Sequence, residues 1–161
     1  MASDICTGGT PSASSAYYPA ASAFDDSPTT YWAVYPYSGT HWCKYDLGAG
    51  REQAARQYSY ARGNYGSYLT DWKFQGSNDD SNWDDLDTQT GQVCDAGVTK
   101  LYSIGNTTAY RYYRWLISGC SSNDLGVAEF AIFADLPKNY LHARRDRLNL
   151  RPISTQNCNN E

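Results

Sequence analysis

The chain is predicted to fold as an all-β sandwich or barrel, and three observations predict it. Aromatic and small polar residues dominate, with 15 Tyr and 5 Trp against a single Met, a composition that suits strands better than helices. Short segments alternate large and small side chains at period two and are punctuated by turn residues, the pattern of a many-stranded β domain. No 3.6-residue periodicity persists before residue 136. At 161 residues with 41% apolar composition, the chain has enough material for one domain and one core.

Each element follows from its local pattern. Residues 1–16, rich in Gly, Ser, Thr, Pro and Ala, read as an extended N-terminal lead-in. Trp42-Cys43-Lys44-Tyr45-Asp46-Leu47 reads as a strand ended by Gly48-Ala49-Gly50. Gln57-Tyr58-Ser59-Tyr60-Ala61-Arg62 alternates at period two and stops at Gly63-Asn64. Trp72-Lys73-Phe74-Gln75-Gly76 places Trp72 and Phe74 on one face, and Asn78-Asp79-Asp80-Ser81-Asn82 is a turn by composition. Tyr110 to Ile117 forms a long strand, and Val127 to Ala134 closes the compact part. Beyond it, residues 136–161 scatter Leu136, Tyr140, Leu141, Leu148, Leu150 and Ile153 among Arg and Asn. That segment cannot build a core by itself, so it is either disordered or an arm that orders on a partner. The expected division is therefore lead-in 1–16, sandwich 17–135 and basic C-terminal arm 136–161.

Charge and cysteines narrow the function. The net charge of −4 splits into −7 over residues 1–135 and +3 over residues 136–161. An acidic body lacks the basic face that nucleic acid requires. No apolar run approaches the roughly 18 residues of a membrane span, and Met1-Ala2-Ser3-Asp4-Ile5-Cys6 shows no Sec-type leader. No nucleic acid partner and no membrane insertion are expected. The five cysteines, Cys6, Cys43, Cys94, Cys120 and Cys158, form no C-x-x-C pair, which argues against a zinc knuckle or a thioredoxin-type motif. They read as mostly reduced thiols, several in the core, with a Cys6–Cys158 or Cys6–Cys120 bridge open if the protein works outside a cell.

Four segments, in order, carry a family resemblance. Ala23-Phe24-Asp25-Asp26-Ser27-Pro28-Thr29-Thr30-Tyr31-Trp32 resembles A-F-D-G-x-x-x-T-x-W, and Trp42-Cys43-Lys44-Tyr45-Asp46-Leu47-Gly48 resembles W-x-x-x-D-L-G. Phe74 to Trp83 resembles F-x-G-S-N-D-G-x-x-W. Tyr112-Tyr113-Arg114-Trp115, followed by Val127-Ala128-Glu129-Phe130, resembles a closing Y-x-R and A-E-hydrophobic pattern. Together they are similar to the discoidin, or coagulation factor 5/8 type C, family, whose galactose-binding-like jelly roll is shared with family 32 carbohydrate-binding modules. The resemblance implies a discoidin-like jelly-roll sandwich with extended terminal arms. Asp26 and Asp80 stand where the family has turn glycines; Asp tolerates the left-handed conformation well enough to preserve both turns.

The resemblance also implies a structural Ca2+ near the ligand-binding end. Carried over by position, Asp25 and Thr30 supply side-chain oxygens, Ala23 or Ser22 and Ser27 supply carbonyls, and Glu129 closes the shell from the last strand. A hard oxygen set of this kind suits Ca2+; the plainer reading makes Asp25 and Thr30 turn-capping residues and Glu129 the partner of an Arg. The acidic run Asp79 to Asp87 invites an EF-hand assignment. Counting from Asp80, however, position six is Asp85 instead of Gly and position twelve is Gly91 instead of Glu, so it fails; the run solvates a hairpin. A glycosidase needs two carboxyls held across a cleft, one of them with a raised pKa, whereas these acids crowd into wet turns. With His41 and His142 the only histidines and no G-x-S-x-G, no catalytic residue is assigned.

A pyranose has an apolar C–H face and a rim of hydroxyls, so an aromatic surface with polar groups beside it binds it. Loop aromatics stand at Tyr17-Tyr18, Tyr35 to His41, and Tyr65 to Tyr68. Following the first motif directly, the Tyr35–His41 loop is the first choice, giving Tyr35, Tyr37, His41, Arg62, Asn64 and Tyr65 as ligand-binding candidates, with Asn123 ranked below. All five Trp fall on motif positions and are expected in the core. The expected function is a non-catalytic binding or adhesion module for glycan or polysaccharide, outside a cell or on a virion surface. The alternative is a structural decoration or tail component of a virion, docked on a capsid or tail protein through residues 136–161 and holding no sugar. A phospholipid-binding discoidin domain ranks last, because Tyr-Pro-Tyr is a poor substitute for apolar loop spikes.

Overall fold

The computed structural model describes residues 4–64 and 67–134. Among the described residues ten strands run in chain order: β1 Thr10–Ala13, β2 Trp32–Val34, β3 His41–Asp46, β4 Gln57–Ala61, β5 Leu69–Ser77, β6 Asp84–Gln89, β7 Thr99–Ser103, β8 Tyr112–Cys120, β9 Leu125–Val127 and β10 Glu129–Phe133. Among the described residues a single 3-10 turn covers Ala20–Ala23, and no helix is long and apolar enough to cross a membrane. One sheet has the order β1-β3-β8-β5-β6; a second has β10-β4-β7; β2 and β9 form a short pair. All named pairings are antiparallel.

Period-two alternation decides what the sandwich buries. On β8, Tyr113, Trp115 and Ile117 face the core while Tyr112, Arg114 and Leu116 are only half-buried. Trp72 and Phe74 enter from β5, and Tyr58, Tyr60, Phe130 and Ile132 meet them from the smaller sheet. Across the interior Trp115 stacks on Phe130 at 3.9 Å and Tyr58 on Phe74 at 4.2 Å. Buried tyrosine needs a partner for its hydroxyl, and most find one; those of Tyr37 and Tyr102 do not. Tyr58 donates to Asp87 at 2.7 Å and accepts from Trp72 Nε1 at 3.1 Å. Tyr60 accepts the Leu69 N–H, and Tyr113 accepts the Ala55 N–H. A core this rich in tyrosine therefore leaves few hydroxyls unpaired.

The strands expected at Trp42, Gln57, Trp72, Tyr110 and Val127 are present, the last broken at Ala128 into β9 and β10. The turn expected at residues 78–82 joins β5 to β6, so the acidic run forms one arm of a hairpin. Asp26 and Asp80 have φ of 57° and 60°, the two non-glycine residues with positive φ among those described. Both fill the glycine-type turn positions as expected. Gly76 is required for another reason: a Cβ there would stand 2.5 Å from Tyr110 Cδ2, because the β5 backbone lies against that ring.

Three expectations are corrected. The lead-in 1–16 is part of the body from Asp4 onward. Thr10–Ala13 pairs with β3, Asp4 bridges Phe133, and the Ile5 N–H donates to the Ile132 carbonyl. Small polar residues and Pro11 are compatible with an edge strand, which is why the composition looked like a linker. Trp42 and Trp83 are outside the core. Alternation sends Cys43 and Tyr45 inward, so Trp42 shares the outer face with Lys44, whose Nζ lies 5.1 Å from its ring; Trp83 lies under the Arg114 guanidinium at 4.0 Å. A Cys6–Cys120 bridge is absent, since Cys120 is a free thiol, as are buried Cys43 and Cys94. Cys158 and the arm 136–161 lie outside the described residues.

Candidate functional site

The loops of one pole are bound to each other by backbone hydrogen bonds. Register places His41 beside Ile117 and Leu69 beside Cys120, so the Tyr35–His41 loop, residues 67–68 and residues 121–124 gather there. The Tyr37 N–H donates to the Asn123 carbonyl at 3.0 Å, the Ser67 N–H to the Asp124 carbonyl at 3.0 Å, and the Ser121 N–H to the Tyr68 carbonyl at 2.9 Å.

Within the Tyr35–His41 loop the candidates divide into an inner and an outer set. Tyr37 packs against His41 with ring centroids 5.5 Å apart. Its hydroxyl is buried without a hydrogen bond, and that burial raises its pKa to about 12. His41 Nε2 lies 3.0 Å from the Ser38 carbonyl and Nδ1 3.4 Å from Ser14 Oγ. These contacts fasten the loop to its base. Tyr35, joined to Pro36 by a cis bond, is instead 59% exposed.

Tyr35 belongs to an aromatic row. Its ring is 6.2 Å from Tyr17, Tyr17 is 5.0 Å from Tyr18, and Tyr18 is 5.0 Å from Tyr31, each pair edge-on. Tyr17 and Tyr18 are 64% and 43% exposed, and together with Tyr35 and Val93 they are the exposed large apolar side chains of the described chain. Arg62 is placed otherwise: Nη1 donates to the Cys94 carbonyl at 2.7 Å, and the guanidinium lies over Tyr68 at 5.1 Å. Asn64 is exposed at the end of β4's continuation. Tyr65 lies outside the described residues. The candidate that sequence reasoning missed is Tyr31. Its signal was the alternation Tyr31-Trp32-Ala33-Val34-Tyr35, which puts Trp32 and Val34 in the core and the two tyrosines on the opposite side.

The acidic candidates also regroup. Asp25 closes a local turn, accepting from the Ser27 N–H at 3.0 Å and from Thr30 Oγ1 at 2.9 and 2.8 Å. Ser27 Oγ lies 3.1 Å from Thr29 Oγ1, and Ala23 is buried in the 3-10 turn. Glu129, 1% exposed, accepts the Asp26 N–H at 3.0 Å. The carboxylates that gather with Glu129, all within 4.8 Å of one another, are those of Asp4 and Asp26. The first motif and the last strand do meet, but through Asp26 instead of the Asp25–Thr30 pair, because the short Asp25–Thr30 contacts keep that carboxylate within its own turn. An all-oxygen group with one buried carboxylate matches the donor chemistry of Ca2+ and excludes the soft ligands that select zinc or copper.

The F5/8 type C domain matches residues 8–126. No curated protein matches the chain. Chitosan-binding module 1 of a chitosanase/glucanase from Paenibacillus sp. IK-5 is 23% identical, with a TM-score of 0.70 over 81% of this chain and 98% of the module. CpGH89CBM32-5 from Clostridium perfringens, solved with GalNAc-β-1,3-galactose, is 18% identical, with a TM-score of 0.72 over 82% of this chain and 100% of that one. The family 32 module of C. perfringens NanJ, solved with galactose, is 15% identical, with a TM-score of 0.71 over 83% and 99%. At these identities the likeness is one of fold.

Proposed function

Because the chain belongs to the F5/8 type C domain family, we propose that it is a non-catalytic carbohydrate-binding module whose ligand surface is the Tyr35–His41 loop and the tyrosines beside it. One observation carries the reading: three of the exposed large apolar side chains, Tyr17, Tyr18 and Tyr35, collect in one place. Exposed apolar side chains scattered singly are ordinary, whereas a contiguous patch marks a binding surface. Tyrosine suits a sugar because its ring face takes the C–H side of a pyranose while its hydroxyl reaches the rim. The neighbours solved with galactose and with GalNAc-β-1,3-galactose, and the chitosan-binding module, support sugar over other ligands. They lend no support to a capsid or tail partner.

Four of the acids are held away from the protonated state that a general acid needs. Asp46, Asp71, Asp79 and Asp85 are all shifted towards the ionised form, in each case chiefly by hydrogen bonds donated to the carboxylate. A general acid for glycoside cleavage requires the opposite shift. A Ca2+ ion belongs to the same reading, held by Glu129, Asp26 and Asp4. When bound, it would tie the first motif loop to the last strand and do no chemistry on the ligand. The module would act outside a cell.

A glycan array probed with the purified chain tests the proposal. Binding to a defined set of sugars, lost in Tyr35→Ala, is the expected result. Silence across galactosides, N-acetylhexosamines, sialosides and β-linked oligomers would overturn it.

A further inference from the structure

The four tyrosines form a line, and the line has a length. Tyr31 and Tyr35 lie on the outward side of β2, one before the strand and one after it. Four residues of extended chain span about 13 Å, and Tyr18 and Tyr17 fill the interval. They are placed there by backbone pairing: the Tyr17 N–H donates to the Ala33 carbonyl at 2.7 Å, and Tyr18 bridges Ala33. Ala33, the outward residue between the two β2-flanking tyrosines, is small enough to lie buried beneath the rings. Successive rings are turned by 68°, 84° and 73° from Tyr31 to Tyr35, so the surface is corrugated. Its extent exceeds that of one pyranose.

Charge narrows the ligand further. Between Ser14 and His41 there is no Lys or Arg, and the acids are Asp25 and Asp26. The Asp124 carboxylate adds to the field at Tyr31. An anionic sugar would approach with like charges nearby and no cation to pair with along this stretch.

We propose that the row binds a linear oligosaccharide of uncharged or amino sugars, with several consecutive units lying along Tyr31, Tyr18, Tyr17 and Tyr35, instead of a single terminal residue. The proposal rests on the glycan-binding reading above and adds to it the length and charge class of the ligand. Its basis is physical. A chain laid over several rings gains a contact from each, and the later contacts cost less because the ligand is already held.

Calorimetric titration of the full chain with N-acetylglucosamine, its β-1,4-linked trimer and hexamer, cellohexaose and a mannuronate hexamer tests this. Among the uncharged hexamers, the one that binds is expected to do so at least about 30-fold more tightly than its monosaccharide. Tyr17→Ala and Tyr35→Ala should each weaken the hexamer about tenfold. Tyr17→Phe and Tyr35→Phe, which keep the rings and lose only the hydroxyls, should each weaken the hexamer less than the matching alanine variant does. The mannuronate hexamer should bind more weakly than the uncharged one. Equal affinity for monomer and hexamer, indifference of the hexamer to both alanine variants, or preference for the mannuronate would each overturn the proposal. Any of those results leaves sugar binding itself standing, whereas failure of every sugar on the array removes the parent reading as well.

Discussion

The backbone N–H of Asp26 donates to Glu129 Oε2 at 3.0 Å, joining the first motif loop to the last strand across 103 residues of chain. Glu129 is buried, so its carboxylate has given up water for this contact, beside the like-charged Asp4 and Asp26 groups. The pole is tied together here, and the first two predictions concern it.

Glu129→Ala removes the acceptor and leaves the Asp26 N–H without it. Loss of about 1.5–3 kcal/mol is expected, the range for a hydrogen bond to a charged group. Glu129→Gln keeps an acceptor oxygen and should lose less. Urea unfolding at neutral pH measures both; equal stability of Glu129→Ala and the parent would remove the tie.

Calcium should raise the melting temperature by binding the native state alone. At a hundredfold excess over its dissociation constant, a native-state ligand adds about 2.7 kcal/mol. Chelation with EDTA should lower the melting temperature and added calcium restore it, and Asp26→Asn should blunt the response. A melting temperature indifferent to both additions speaks against an ion at this position.

Trp115 sits at the centre of the sandwich, stacked on Phe130 at 3.9 Å, and its Nε1 is buried without a hydrogen bond. Trp115→Ala should cost about 3–5 kcal/mol through the cavity it opens. Trp115→Phe should cost less than Trp115→Ala, because the aromatic contact survives, the cavity is smaller and an unpaired buried donor disappears. Thermal denaturation of the two variants side by side decides whether the indole N–H matters.

Arg111 donates through Nε and Nη2 to the two Asp46 oxygens at 2.7 and 2.8 Å. Those bonds foremost hold the Asp46 carboxyl below its usual range, against partial desolvation and with help from the Gly48 N–H. A carboxyl whose folded pKa is depressed contributes stability above its unfolded pKa of about 3.9, and that contribution is lost as pH falls through the folded value. Arg111→Gln should therefore be less stable than the parent at about pH 6, with the gap narrowing as the pH is lowered below about 3.9. A stability gap that stays constant across this range would mean that the pair does not act through its charge.

Much of the scaffold could be read from local pattern. Trp72 and Phe74, Tyr113 and Trp115, and Tyr58 and Tyr60 each occupy alternate positions on a strand, and alternate positions share a face whatever the strand pairs with. Asp26 and Asp80 could be assigned to glycine-type turns because few side chains tolerate that backbone. The same alternation, applied strictly to Trp42-Cys43-Lys44-Tyr45 and Tyr31-Trp32-Ala33, would have put Trp42 outside and Tyr31 beside Tyr35. At Trp42 the motif position and the strand alternation point to opposite faces, and the alternation prevails.

Strand identity, core faces and turn positions were thus determined by the amino-acid order, because each depends on neighbours two to five residues away. Only the tertiary structure decided that Asp4 and Asp26 share space with Glu129, that residues 10–13 form an edge strand, and that Tyr17 and Tyr18 lie along β2. Asp4 accepts the Ile132 N–H across 128 residues, and no local periodicity encodes a contact of that span. It arises when closure of the sandwich brings distant segments to one pole.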